Sequence, residues 1–199
     1  MPYPRKISKI SSDKTGRRFH ANQKGGRALT LLWYFILYSF LGFLLEVAFA
    51  RVTRHPKKDR KCFLLLPLCP VYGLGAILIH WLSGLLEGPL WVMAAGFVGA
   101  TAAELSMGLL YRYLLRVDFW DYSDQAFNLN GLVCLRFSLY WSGLALVTVY
   151  GLDRLILPLT QRIPAALDAP ALILLSVDGA VSAFALRMTG STEVLRWYK

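Results

Sequence analysis

Long apolar runs without charged residues alternate with short polar stretches along the chain. Residues 28–45, 62–86 and 88–103 contain no Asp, Glu, Lys or Arg, and two further apolar runs follow them. A helix of about 20 apolar residues is long enough to cross the hydrocarbon core of a bilayer. The pattern therefore predicts five transmembrane helices, at about 29–50, 62–83, 89–112, 131–151 and 169–187.

The composition agrees with this pattern. Hydrophobic residues make up 56% of the chain and charged residues 17%, whereas a soluble domain carries about 25% charged residues. A water-soluble globular domain is thus excluded, and an all-α polytopic membrane helix bundle is expected. We predict one transmembrane domain at 28–188, preceded by a flexible basic tail at 1–27 and followed by a short C-terminal tail at 189–199.

Prolines set the second segment apart from the others. Pro67 and Pro70 remove two backbone donors and disfavour helix just before each of them. This segment should therefore be bent or partly unwound, with its freed backbone groups facing protein or water. The cysteines Cys62, Cys69 and Cys134 fit no zinc or CxxC spacing, so we expect reduced, packed thiols and no metal site.

The net charge of +10 is concentrated near the predicted membrane edges. Residues 1–27 and 51–61 are basic without interleaved aromatic residues, which favours contact with lipid headgroups over binding of nucleic acid. The two stretches flank the same predicted helix, and the two possible orientations place ten and eleven Lys and Arg residues inside. The positive-inside rule therefore gives no orientation.

Four ionisable residues fall inside the predicted spans, where each is a functional candidate because burying a charge is costly. Helical rise places Glu46, Glu104, Arg136 and Asp178 at depths of roughly 7 to 14 Å from one surface. Cys69 and Tyr72 fall in the same layer. This layer is predicted to bind a proton, a metal cation or a cationic substrate group. Alternatively, Arg136 pairs with one carboxylate and Glu46 reaches the interface, and the layer is structural.

Glu104 is predicted to be the central carboxyl of this layer. We expect it to lie close to Arg136 and within reach of Asp121 or Asn130 through water or a ligand. The chain contains no GxxxxGK[ST], HExxH or GxSxG motif, so neither a catalytic residue nor a cofactor is assigned.

Five short motifs stand in order along the chain: YSFLG at 38–42, PLCPVYGLGA at 67–76, WDYS at 120–123, NLNG at 128–131 and CLRFS at 134–138. Together they resemble the ABC-transporter type IV (CmpB-like) membrane family over about 29–187. The resemblance implies a small multispanning, permease-like protein. The polar and aromatic residues that match the family are Glu46, Cys69, Tyr72, Glu104, Trp120, Asp121, Tyr122, Asn128, Asn130 and Arg136.

Three functions remain open from the sequence. The first is a transporter subunit that acts as a homo-oligomer or with a partner membrane subunit, and with a separate ATPase if transport is ATP-driven. The second is a lipid-headgroup binding protein or enzyme in which Asp121, Tyr122 and Asn130 meet Glu104 and Arg136. The third is a non-catalytic assembly factor. For each, we expect an integral protein of the bacterial cytoplasmic membrane.

Overall fold

A computed structural model describes residues 15–53, 62–85 and 87–196, with side chains from Thr30 onward. The described part is a bundle of five helices with one small hairpin between the third and fourth. The elements are α1 Thr15–Val52, α2 Pro70–Ser83, α3 Pro89–Leu115, β1 Asn128–Leu129, β2 Val133–Cys134, α4 Leu135–Arg162 and α5 Ala165–Thr189.

Four of these helices are long and apolar enough to cross a membrane: Thr30–Val52 of α1, and α3, α4 and α5. This confirms the predicted all-α membrane bundle, and the chain is a multi-pass integral membrane protein. Helix α1 begins at Thr15, so its backbone extends into the stretch for which a tail is predicted. Residues 1–14 and 197–199, which belong to the predicted tails, lie outside the described residues.

The second predicted span is discontinuous, as the prolines indicate. Residues 62–69 are not helical, and α2 starts only at Pro70, which occupies its first turn. Its 14 residues rise about 21 Å, less than the bilayer core. The backbone N–H of Cys69 donates to the carbonyl of Ser39 at 3.0 Å, so α2 begins beside the middle of the α1 span.

Small residues allow the helices to approach closely. A Cβ on Gly42 of α1 would lie 2.2 Å from the ring of Tyr72 on α2. A Cβ on Gly96 of α3 would lie 2.5 Å from the Cβ of Ala145 on α4. Close packing of helices through small residues is typical of membrane bundles. The three cysteines are all buried and no disulfide joins them.

Several helical stretches have π geometry. They cover Gly96–Ala100 and Leu110–Leu115 in α3 and Thr148–Leu152 in α4. Such wide turns change which side chains share a helix face. The faces of α3 and α4 therefore differ from those of uniform α-helices.

An ordered loop, residues 116–134, closes one end of the bundle. Tyr122 N–H donates to the carbonyl of Gly131 at 2.8 Å, and the Trp120 indole N–H donates to the carbonyl of Leu132 at 2.8 Å. In the antiparallel hairpin Asn128 pairs with Cys134. Positive φ angles at Asn130 (53°) and Gly131 (71°) turn the chain between its strands.

With five predicted spans, the loop at 51–61 is predicted to lie on the same face as the loop at 113–130 and to meet it there. Residues 54–61 of that loop lie outside the described residues. Cys62, which follows them, packs in one buried cluster with Leu115 and Val117. The chain therefore re-enters the bundle next to the end of α3.

Candidate functional site

A cavity of about 560 Å³ lies between α1, α2, α3, α4 and the 116–134 loop. We call it the acidic cavity because Glu46 and Glu104 line it. Aromatic side chains form much of the remaining wall. These are Phe49, Tyr72, Phe119, Trp120, Tyr122, Phe137, Tyr140 and Trp141. Of the described residues that line the cavity, none is Lys, Arg or His.

Glu104 is the most buried carboxyl of the cavity, with 4% of its surface exposed. Its Oε1 accepts a hydrogen bond from the Tyr122 hydroxyl at 2.8 Å, and its Oε2 accepts one from the Trp141 indole at 3.2 Å. Both donors are neutral groups. Within the described ranges no basic side chain forms an ion pair with Glu104. A cation that enters the cavity would therefore find a carboxyl already oriented by neutral donors.

Glu46 reaches the cavity from α1 and is half-buried. Its Oε1 accepts a hydrogen bond from the Tyr72 hydroxyl at 2.8 Å. The rings of Tyr72 and Trp141 contact each other with centroids 5.0 Å apart. A chain of contacts thus links the two carboxyls through one residue of α2 and one of α4.

Tyr122 positions the loop over the cavity. Its ring stacks on Phe137 with centroids 4.5 Å apart and an angle of 18° between the planes. Burial and the neighbouring Glu104 carboxyl raise the pKa of the Tyr122 phenol well above its usual range. Tyr122 therefore remains a neutral hydrogen-bond donor at physiological pH.

The expected proximity of Arg136 to Glu104 is wrong. Arg136 is exposed, and its guanidinium donates to the Tyr140 hydroxyl at 3.0 Å and to the Gln125 side chain at 3.5 Å. The reason is the start of the fourth helix. Helix α4 begins at Leu135 rather than near residue 131, so Arg136 lies in the first turn of the span, at its end.

Asp178 is buried, as expected, but it does not line the acidic cavity. Its carboxylate accepts the backbone N–H of Leu65 at 3.0 Å and that of Leu66 at 2.8 Å. Ser182, one turn later on α5, accepts the N–H of Leu64 at 2.7 Å. Asp178 therefore holds the non-helical part of the second segment against α5.

The polar loop residues Asp121, Asn128 and Asn130 do not line the cavity either. Asp121 accepts from the backbone N–H and the hydroxyl of Ser123, and these bonds lower the pKa of the Asp121 carboxyl. The Asn128 side chain bonds backbone groups of the loop, and the Asn130 carbonyl accepts from Arg112 at 2.6 Å. These residues shape the loop. The loop side chain that contacts Glu104 is Tyr122, not Asp121 or Asn130.

Six of the predicted site residues line one cavity: Glu46, Cys69, Tyr72, Glu104, Trp120 and Tyr122. The aromatic residues that α4 contributes were not predicted as site residues. Phe137, Tyr140, Trp141 and Leu144 recur at three- and four-residue spacing and line the cavity. That spacing was the available signal, since it places side chains on one helix face.

A third buried carboxyl, Asp153, was not predicted from the sequence. It is 6% exposed and accepts hydrogen bonds from the hydroxyls of Tyr34 at 2.7 Å and Tyr38 at 2.6 Å. His80 Nδ1 lies 3.2 Å from its other oxygen. The predicted fourth span ends at residue 151, which placed Asp153 outside the membrane, whereas α4 continues to Arg162.

In the part of the chain that the structure describes, no group of three His, Cys, Asp or Glu side chains could hold a metal ion. The family described as Putative ABC-transporter type IV matches residues 33–183. The chain belongs to this family. The matched range contains all the residues of the acidic cavity. No curated protein and no solved structure matches the chain.

Proposed function

We propose that the chain is the membrane-spanning subunit of a transporter and that it binds an organic cation in the acidic cavity. One observation carries this proposal: the Glu104 carboxyl lies among aromatic rings, and the described lining contains no basic residue. Aromatic faces attract cations, and cages of such rings recognise quaternary ammonium groups. A nearby carboxylate adds a direct electrostatic attraction.

The same features favour an organic cation over a metal ion. Calcium needs six to eight oxygen ligands and magnesium a near-octahedral shell, and zinc prefers Cys and His ligands. The cavity offers two carboxyls and mostly aromatic carbon. Its volume of about 560 Å³ falls in the range of pockets for small organic ligands.

Membership of the family and the broken second segment support transport. Discontinuous helices near the bilayer midplane form the substrate sites of many transporters. The chain has no phosphate-binding loop motif, so ATP-driven transport would require a separate ATPase subunit. Five helices are few for a complete pathway, and we propose a homo-oligomer or a partner membrane subunit.

Binding of an anionic lipid headgroup is a weaker candidate. Such a headgroup needs a basic partner, and Arg136, which does not line the cavity, is hydrogen-bonded to Tyr140 and Gln125. A cationic headgroup presents the same ammonium chemistry as a soluble organic cation. The length of the hydrocarbon chain attached to the ammonium group then distinguishes a lipid from a soluble organic cation.

The first test measures binding of tetramethylammonium to the purified chain in phosphatidylglycerol nanodiscs. Trp120 and Trp141 line the cavity, so their fluorescence reports occupancy. Glu104→Gln removes charge, keeps the volume and can still accept a hydrogen bond. We expect it to weaken binding at least tenfold, equivalent to about 1.4 kcal/mol.

Asp124→Asn is the matched control, because Asp124 is an exposed carboxyl outside the cavity. It should leave the dissociation constant within twofold of the parent. Equal binding by the parent and Glu104→Gln would refute the proposed cation site. A second measurement follows efflux of labelled tetramethylammonium from cells that express the parent or Glu104→Gln. Equal efflux from both would refute the transport role.

A further inference from the structure

A second cavity of about 400 Å³ lies next to the acidic cavity, between α1, α2 and α4. We call it the apolar groove. The two cavities share five lining residues, which are Leu45, Tyr72, Trp141, Leu144 and Val147. The space beside Glu46 and Glu104 therefore adjoins a hydrocarbon-lined space along α1.

The wall of the apolar groove is almost entirely carbon. Beyond the shared residues it is formed by Leu41, Leu44, Ile79 and Leu152, among others. The hydroxyl of Tyr38, which also lines the groove, is already bonded to Asp153. The groove thus offers little to a polar ligand and suits a hydrocarbon chain.

The groove is open toward lipid on one side. Leu44 is 45% exposed, Leu45 44% and Val147 55%. Helix α1 packs against the later part of α4, Asp153–Arg162. The groove lies where the earlier part of α4 faces α1. A hydrocarbon chain that lies in the bilayer can therefore enter the groove from the side.

We infer that the ligand is a single-chain amphiphilic cation, with its ammonium head beside Glu104 and its alkyl chain in the apolar groove. This inference rests on the proposed function and adds the substrate class. An organic cation without a chain would leave the groove unused. A chain without a charged head would gain nothing from Glu104.

The dimensions fit this arrangement. Glu46 and Tyr38 are eight residues apart on α1, which corresponds to about 12 Å along the helix. Leu144 and Leu152 are also eight residues apart on α4 and line the same groove. The groove therefore runs alongside both helices for about two turns, away from the carboxyls.

The test compares tetramethylammonium with dodecyltrimethylammonium in phosphatidylglycerol nanodiscs, a bilayer whose headgroup has no ammonium. Each ligand is measured on the parent and on Leu44→Trp, whose larger side chain fills the groove. Leu44 lines the groove and not the acidic cavity. For each ligand, partition into lipid cancels in the ratio of the dissociation constants measured for Leu44→Trp and for the parent. We expect Leu44→Trp to weaken binding of dodecyltrimethylammonium at least tenfold and binding of tetramethylammonium less than twofold.

Leu31→Trp is the matched control, since Leu31 is 45% exposed on the same helix and lines neither cavity. It should leave the dissociation constant of each ligand unchanged. Leu152→Trp, at the far end of the groove, provides a second obstruction. It should weaken binding of dodecyltrimethylammonium and leave binding of butyltrimethylammonium unchanged.

The outcomes separate the inference from the proposed function. If tetramethylammonium binds and depends on Glu104, but Leu44→Trp and Leu152→Trp leave the dodecyl ligand unaffected, the groove assignment is wrong and the cation site stands. If Leu44→Trp weakens both ligands equally, the groove assignment is also wrong. If neither cation binds the parent, the proposed function fails and the inference fails with it.

Discussion

Glu104 and Asp178 are both carboxyls inside the membrane bundle, and they are almost equally buried, at 4% and 3% exposure. Their partners differ in kind. Asp178 accepts from the backbone N–H groups of Leu65 and Leu66, whereas Glu104 accepts from side chains that line a cavity. The first carboxyl is enclosed by the chain itself, and the second faces a space that a ligand can enter.

This difference separates a structural from a ligand-binding carboxyl more clearly than burial does. Non-helical backbone inside a membrane must have its polar groups satisfied by protein or water. Asp178 and Ser182 do this for residues 64–66. Among the described residues, Glu104 accepts hydrogen bonds from side chains and not from the backbone of another segment. Its loss should therefore affect binding before it affects folding.

The largest effect is expected for Asp178→Ala. This change leaves two partly buried backbone donors, those of Leu65 and Leu66, without an acceptor, and an unsatisfied donor costs about 1–3 kcal/mol. We expect a total loss of about 2–6 kcal/mol in folding free energy. Thermal unfolding in detergent measures it, at roughly 2–4 °C per kcal/mol for a chain of this size.

Two variants check the origin of that loss. Asp178→Asn retains one acceptor oxygen and should fall between the parent and Asp178→Ala. Glu104→Gln should unfold within about 1 kcal/mol of the parent, because its amide can keep one hydrogen bond. If Glu104→Gln is as unstable as Asp178→Ala, the distinction between the two carboxyls is incorrect.

Asp153→Ala should have the next largest effect. It removes the acceptor of the Tyr34 and Tyr38 hydroxyls. The two rings are only 4.6 Å apart, so the hydroxyls can bond each other and recover part of the loss. We expect destabilisation of about 1–3 kcal/mol, measured by the same thermal unfolding. An effect as large as that of Asp178→Ala would show that the tyrosines do not rearrange.

Tyr122→Phe tests the hydrogen bond that the Tyr122 hydroxyl donates to Glu104, the ligand-binding carboxyl of the two compared. It removes one hydrogen bond to Glu104 and keeps the ring that stacks on Phe137. A hydrogen bond to a charged group contributes about 1.5–3 kcal/mol, and a ligand cation can replace part of it. We expect a stability loss of about 1–2 kcal/mol in the absence of ligand, reduced when saturating tetramethylammonium is present. An equal loss with and without ligand would argue against a cation beside Glu104.

The sequence predicts the helices and the break in the second segment because both follow from local physics. Span length is set by the bilayer, and Pro67 and Pro70 remove donors wherever the segment packs. The partners of buried carboxyls are not local. That Asp178 binds residues 65 and 66, 113 and 112 positions away, depends on how α5 packs against the second segment.

Errors at helix ends explain the other differences. Helix α4 begins at Leu135 and ends at Arg162, whereas 131–151 was predicted. Four residues at the start correspond to about 6 Å of depth, which moves Arg136 to the first turn of the span. Eleven residues at the end bring Asp153 into it. The cavity itself could not be predicted, because it depends on the loop that places Tyr122 over α3.

The smallest effect is expected for Arg136→Gln, and it tests whether that residue belongs to the layer around Glu104. In the structure the guanidinium is exposed and lies 5.6 Å from the centre of the Tyr140 ring. Exposed polar and cation–π contacts contribute about 0.5–1 kcal/mol or less. We expect a change in stability of less than about 1 kcal/mol and a dissociation constant for tetramethylammonium within twofold of the parent. If Arg136 paired with Glu104, its removal would leave the carboxyl free to bind a cation, and tetramethylammonium would bind several times more tightly to Arg136→Gln. Tighter binding in the fluorescence titration would therefore contradict the observed geometry, and unchanged binding would keep Arg136 outside the site.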